Sequence, residues 1–509
     1  MSVSHIIKPE KSLPMPVVFG ALGMALSYYG YPLLVSGLGG VFFLFGILFL
    51  LAAAIGFLTA LRTFAPGIFP RLGILLIAVS VGFSAGIAVR RSLIGPVQTG
   101  ISAERVAGVS GILREDPRSL QSGAGMGILE LRESFGAGGL RAGASGNLTV
   151  FFPADSIPHL QEFGRGSELY VGGTLSYGIR GPVFRSASVH ILAPAPPLEQ
   201  YRTGLRTALL ERFQSRQDAQ YGEGHAPVWG AFASAMLLGM RDDLDAEFAQ
   251  AFFNSGCAYI LALSGMHLAI ISGVLAFLIR RPLGIRGASL IGALFIIVYV
   301  FAAGSQPSLV RAAIMYIIGT VAVWGLLNKR ILPVLGMAFI IQLLFQRDTG
   351  LSLSFMLSYL ALSGMVTLGD TFYGLFRGRL PEVLGRALSA SLGAFIATAP
   401  LVVFVFGSLK PVGIIAGPVV AAGASVFMVL SMGALASAFL PFPLWNLFDF
   451  ALTWLYRILE FTVSAAAQVP GLSLSSPVPV IVVCGLVWLA VLFVKKQDDS
   501  YRNRFAALA

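Results

Sequence analysis

The chain has 509 residues, of which 56% are apolar and only 12% charged, and its mean hydropathy is +0.81. A soluble domain carries roughly 25% charged residues, so most of this chain is expected to be solvated by lipid; disorder, which needs low hydrophobicity, and a disulfide framework, with only Cys257 and Cys484 present, are both excluded. The net charge of +11 comes from 35 basic residues, mostly arginine, against 24 acids; it permits a polyanionic partner without indicating one, because cytoplasmic loops of membrane proteins retain Lys and Arg for topological reasons.

Crossing a bilayer takes roughly 20 apolar residues, and suitable stretches occur near 14–31, 38–61 and 72–91. The first follows Lys8 and Lys11, as a signal peptide would, but runs directly into a second stretch with no small-residue cleavage site, so it reads as a retained anchor. Residues 1–96 are thus expected to form an N-terminal anchor of about three helices.

From Val97 the long apolar runs give way to short alternating segments bounded by Gly, Pro, Asn and Asp, the pattern of half-buried strands. The spacing predicts strands over 105–114, 126–135, 147–152, 168–177 and 184–192, making 97–195 a soluble β domain. Five short strands in that length fit a small closed barrel such as an OB-fold, although a sandwich gives the same pattern. Pro194, Pro196 and Pro197 end the domain in a stiff segment. Beyond them, Leu198, Tyr201, Leu205, Ala208, Leu209 and Phe213 recur at helical spacing, with Arg202, Arg206, Arg212 and Arg216 on the flanks. Residues 196–227 therefore read as a linker whose amphipathic helix lies in the membrane surface, or as a solvated linker helix.

From 228 to 494 the chain returns to lipid, with spans near 256–279, 287–303, 308–327, 332–346, 351–369, 385–406, 412–438, 446–467 and 478–494. The segments 228–240 and 244–255 are too short to cross and read as re-entrant or interfacial. Residues 495–509 form a basic tail. The expected architecture is an α-helical polytopic protein of the cytoplasmic (inner) membrane with about twelve spans and an inserted all-β, OB-like domain. Lys and Arg concentrate in alternate loops, including Arg62 with Arg71, Arg280 with Arg281, and Lys329 with Arg330. That bias places both termini in the cytoplasm and the β domain outside.

Ionisable groups within a membrane mark pathways by default. In the stretch from Met240 to Gly273, an acidic segment with Asp242 and Asp243 runs into an apolar helix interrupted by Ser264, Gly265 and His267. The interruption reads as a hinge lining a pathway, or as a seam of small residues where helices pack closely. A second cluster, from Gly304 to Ala313, places Gln306, Ser308 and Arg311 at the outer mouth of a span, where Arg311 either snorkels to headgroups or holds a passing phosphate. Arg457 and Glu460, three apart, are placed to pair on one helix face. A hydrolase built on Ser264 and His267 lacks a GxSxG elbow. The scattered histidines and the lack of CxxC, HExxH and GxxxxGK[ST] leave no expected metal, cofactor or bound nucleotide. The hexapeptide Leu-Ala-Leu-Ser-Gly-Met occurs at 261–266 and again at 360–365, through chance or as a parallel repeat.

The segment LLGMRDDLDAEFAQAFFNSGCAYILALSGMHLAIISG resembles the hallmark of the ComEC competence-protein family, and GSQPSLVRAAIM resembles that family's G-x-S-P-S-x-x-RA segment. The resemblance covers roughly residues 30–470 and includes the order of anchor, OB-like domain and polytopic region. It implies a channel that carries one strand of incoming DNA across the cytoplasmic membrane during natural transformation, not an enzyme. The family's residues map to Arg241, Asp242, Ser264, Gly265, His267, Ser308 and Arg311. Asp242, Asp243, Ser264, Gly265 and His267 are then expected to form the channel or hinge, and Arg241, Gln306, Ser308 and Arg311 to contact phosphate. Many relatives continue into a metallo-β-lactamase-like nuclease domain, whereas no HxHxDH occurs here, so a separate nuclease is expected beside a DNA receptor and a cytoplasmic motor. The β domain holds eight arginines against nine acids between Val97 and Gln200, which is no basic footprint. Two rival readings remain: a secondary transporter or flippase for a small anionic or lipid-linked substrate, with His267 as proton carrier, and an intramembrane hydrolase using Ser264.

Overall fold

A computed structural model describes residues 15–35, 69–91, 97–119, 124–157, 160, 164–178, 181–208, 229–241, 244–325, 331–437, 444–474, 476, 478–487 and 491. The expected span at 38–61, the linker from 209 to 227 and the tail 495–509 lie outside the described residues.

Helices α1 (Pro16–Val35) and α2 (Phe69–Arg91) arise from mainly apolar sequence and meet along a seam of glycines. A Cβ at Gly23 would overlap the Val79 carbonyl, so this close backbone approach requires a residue without a side chain. Helix α1 also packs against the C-terminal helical region. Its Tyr28 hydroxyl donates to the Arg347 carbonyl at 2.6 Å, and its Tyr29 hydroxyl donates to the Gly350 carbonyl at 2.8 Å. Met24 and Tyr28, both fully buried, share a core with Leu335, Leu343 and Phe355.

The β region contains β1 (Gln98–Thr99), β2 (Val106–Leu113), β3 (Arg118–Ser119), β4 (Gly125–Gly136), β5 (Arg141–Ser145), β6 (Asn147–Phe152), β7 (Glu168–Gly178) and β8 (Gly181–Ala193). The five predicted strands correspond to β2, β4, β6, β7 and β8, and the short β1, β3 and β5 were not anticipated. Strand β2 pairs antiparallel with β4 and β7, β4 with β6, and β7 with β8, and a parallel β6–β8 pair closes the circuit. Alternation fills the interior: Val109, Leu113, Leu129, Leu148, Val150, Leu169, Val171 and Phe184 are fully buried.

Helix α3 (197–208) differs from the expectation of arginines on its flanks. Arg202, 1% exposed, forks onto Asp116 at 2.5 and 2.8 Å and reaches Glu199 at 2.7 Å, while Arg206 reaches Asp116 at 2.7 Å. The basic face is turned onto the loop after β2, and Leu198 and Tyr201 point outward. A planar fork matched to a carboxylate makes a strong, directional contact. Burial alone would raise the Asp116 carboxyl, but the Arg202 fork, the Arg206 charge and the Arg165 amide together hold it below the usual carboxylate range.

The remaining elements are α4 (Trp229–Leu238), α5 (Ala246–Asn254), α6 (Ala258–Leu261), α7 (Gly265–Ala303), α8 (Pro307–Trp324), α9 (Ile331–Phe345), α10 (Leu353–Phe376), α11 (Glu382–Phe406), α12 (Gly413–Ser437), α13 (Leu444–Ala467) and α14 (Val478–Val487). Among the described residues, α7, α8, α10, α11 and α12 are long and apolar enough to cross a membrane. Helix α7 contains the expected span 287–303 and most of 256–279, kinked where Pro282 precedes Gly284 at φ 66°. The short α4 and α5 pack into the helical core: Phe232 and Phe252 are fully buried against each other, and Phe232 meets Phe427 of α12 and Tyr456 of α13. On α13, Asp449 accepts the Trp229 indole N–H at 2.8 Å. Arg457 lies over the Trp454 ring at 5.9 Å, and no ion pair joins it to Glu460 among the described residues. Their spacing allows a pair, but the Arg457 guanidinium lies over the Trp454 ring instead.

Candidate functional site

The site is built where the chain stops being helical. Helix α6 ends at Leu261, Ala262 and Ser264 are extended, and α7 starts at Gly265 with Ser264 as its N-cap. The expected interruption inside a span at His267 is therefore a helix start: the break lies before Gly265, and His267 is in the first turn. Its cause is local. Ser264 N–H donates to His267 Nδ1 at 3.2 Å, and Ser264 Oγ lies 3.1 Å from the same nitrogen, so the histidine occupies the place of the glutamate in a capping box. Since Nδ1 accepts an amide proton, the neutral ring carries its own proton on Nε2. That Nε2 is buried and has no hydrogen-bond partner among the described residues.

Helix α8 begins on Pro307, whose missing N–H costs nothing in the first turn. Ser308 Oγ donates to the Leu263 carbonyl at 2.5 Å, which satisfies an acceptor freed by the break. Arg311, one turn further, is 8% exposed, so it does not snorkel to the headgroups. Its Nη1 donates to the Ser358 carbonyl, its guanidinium carbon lies 5.8 Å from the Tyr359 ring centre, and Nη2 is 3.2 Å from where a Cβ on Gly265 would stand. The Nε of Arg311 has no partner among the described residues. The fully buried Gln342 of α9 joins the cluster: Nε2 donates to the Pro307 carbonyl at 2.8 Å, and Oε1 accepts the Tyr359 hydroxyl at 2.9 Å. From the β region, Arg165 Nη1 reaches Ser305 Oγ at 3.4 Å, just ahead of α8.

Ser264, Gly265, His267, Ser308 and Arg311, which the sequence divides between two clusters, thus meet in one buried node. Gln306 caps α8 and stands beside Gly239. Arg241 is exposed at the end of the segment that follows α4, while Asp242 and Asp243 lie outside the described residues. Sequence reasoning missed Gln342 and Tyr359; the available signal was a lone glutamine within an otherwise apolar stretch. Among the described residues no group of three His, Cys, Asp or Glu is placed to hold a metal ion.

Comparison with known proteins centres on this region. A model of the Competence protein family matches residues 236–498, more than half of the chain. ComE operon protein 3 of Bacillus subtilis (strain 168) is 26% identical over 278 residues, covering 52% of this chain and 34% of that relative. An uncharacterized protein of Aquifex aeolicus (strain VF5) is 26% identical over 280 residues, covering 55% of this chain and 62% of the relative. The chain therefore spans less than two thirds of the length of either. No solved structure matches. The family match takes in the helix start at Ser264, the arginine of α8 and the glutamine of α9 alike, and on that match the chain belongs to the Competence protein family.

Proposed function

We propose that this chain is a passive, sequence-independent conduit that carries one strand of DNA across the cytoplasmic (inner) membrane during competence, conducting the strand without cutting it. One observation carries the reading: His267 Nε2 and Arg311 Nε are buried donors without partners among the described residues, in a node assembled by a break in the chain. An unsatisfied buried donor costs about 1–3 kcal/mol, and a phosphodiester oxygen passing the node would satisfy such groups, with the guanidinium fork suited to it. The family and a relative from the ComE operon support a role in DNA uptake.

In this reading the five-strand circuit of β2, β4, β6, β8 and β7 is an OB-like Greek-key barrel. It stands outside the membrane, both termini are cytoplasmic, and the outward Leu198 and Tyr201 of α3 rest in the lipid surface. A receptor, a separate nuclease and a cytoplasmic motor supply the strand and the force. The test is deletion of the chain followed by tracking of labelled DNA. Accumulation outside the cytoplasmic membrane is expected, and restoration by wild type but not by Arg311→Gln; normal uptake after deletion would refute the reading.

The 3.1 Å contact between Ser264 Oγ and His267 Nδ1 supports a second reading, an intramembrane hydrolase with Ser264 as nucleophile. It requires Ser264→Ala to abolish function, whereas the conduit tolerates that change.

A further inference from the structure

On the outer face of the strand circuit a row of residues crosses four strands in register. Glu133 on β4 faces Ser110 on β2, Ser110 faces Tyr170 on β7, and Tyr170 faces His190 on β8. The Tyr170 ring lies down across β2: a Cβ on Gly108 would stand 2.5 Å from its hydroxyl oxygen and 2.8 Å from Cζ, so the ring needs a bare glycine beneath it. Phe135 meets Tyr170 edge-on at 5.1 Å, and His190 is tilted by 31° to it at 6.2 Å. The Arg141 guanidinium lies 5.4 Å from the Phe135 ring centre. Of these, Ser110, Glu133, Phe135, Arg141 and Tyr170 border a hollow of about 580 Å³, within the usual size range of small-ligand sites.

The charges in this hollow balance. Arg132 and Arg141 stand against Glu133 and Glu168, and Arg132 is held by Glu168 at 3.2 Å. What the hollow offers is therefore aromatic surface more than positive field. We infer that it binds an unstacked base of single-stranded DNA against Tyr170, with Phe135 as a side wall and Arg141 at the rim. The inference rests on the reading of the chain as a DNA conduit and adds a first contact that grips the base instead of the backbone. Bases within a duplex are covered by their neighbours, so only a single strand fits; every base has a ring face, so sequence matters little. Because the local charges cancel, this contact responds weakly to salt, unlike a site that neutralises phosphates.

The experiment uses the full chain in detergent and two labelled oligomers of equal length, oligothymidylate and an abasic phosphodiester, measured by fluorescence anisotropy. Wild type is expected to bind oligothymidylate more tightly than the abasic strand. Tyr170→Ala should weaken oligothymidylate by about tenfold and leave the abasic strand unchanged, while Tyr170→Phe retains wild-type binding. Equal affinity of wild type for the two strands overturns the inference whatever the variants do, as does a Tyr170→Ala protein that binds oligothymidylate like wild type. Failure of the conduit reading would show instead as normal DNA uptake in cells lacking the chain, so the two failures are distinguishable.

Discussion

The amide of Ser264 donates to Nδ1 of His267 at 3.2 Å, and this bond accounts for where α7 begins. The hexapeptide Leu-Ala-Leu-Ser-Gly-Met adopts two structures in this chain. At 261–266 it ends one helix, extends and starts another, whereas at 360–365 it runs through the middle of α10. The residue that follows is His267 in one copy and Val366 in the other. Histidine offers the N-cap amide an acceptor, and valine offers none. The second copy instead packs Gly364 against the Gly393 carbonyl of α11, a contact that needs a continuous helix. The echo is not a structural repeat.

His267→Val, which gives the first copy the continuation of the second, should lower stability by about 1 kcal/mol through loss of the cap and should abolish DNA uptake. His267→Gln keeps an acceptor at the same helical position and should recover the stability without full uptake. Thermal unfolding in detergent measures the first effect and labelled-DNA uptake the second; an unchanged melting temperature in His267→Val would show that the bond is dispensable.

Ser264→Ala leaves the backbone N–H in place, so α7 should still start at Gly265. Stability is expected to change by no more than about 0.5 kcal/mol, and uptake should remain near wild type. Complete loss of function with normal folding would favour the hydrolase.

Gln342→Ala strips a partner from three groups at once, the Tyr359 hydroxyl, the Pro307 carbonyl and the Gln346 side-chain carbonyl. The expected cost is about 2 kcal/mol, more than for Tyr359→Phe. A double-mutant cycle between Gln342 and Tyr359 should show a coupling of at least about 0.5 kcal/mol, and strict additivity would mean that the two side chains act independently.

The docking of α3 is sensitive to acid. Asp116 is held below the usual carboxylate range, so its contribution is complete above the pKa of an unfolded aspartate, about 4, and fades as pH falls through its lower folded value. Protection of α3 amides from hydrogen exchange should therefore decline in acid. Asp116→Asn should show reduced protection already at neutral pH and a flatter profile, and identical profiles would remove Asp116 from the docking.

The strands of the β circuit were legible because half-buried strands alternate with period two, as Leu129 and Leu131 do against the half-buried Ile128 and Glu130. The node residues were legible one by one, as polar groups in apolar sequence. Their convergence was not: Ser308 meets Leu263 across 45 residues, and Arg311 meets Ser358 across 47, contacts that no local pattern encodes. The inward turn of Arg202 was hidden for a related reason. An arginine at helical spacing reads as a solvated flank unless Asp116, 86 residues earlier, is known to lie beneath it.

Tyr28 waits for a partner 319 residues further along the chain. At roughly 5–20 residues per second, synthesis takes about 15–60 s to bring Arg347 out after Tyr28, so this contact is made long after the first helix has been synthesised. Closure of this clasp is therefore a late event in biogenesis, and α1 stays without its contacts to the turn at 347–351 until that turn has been made.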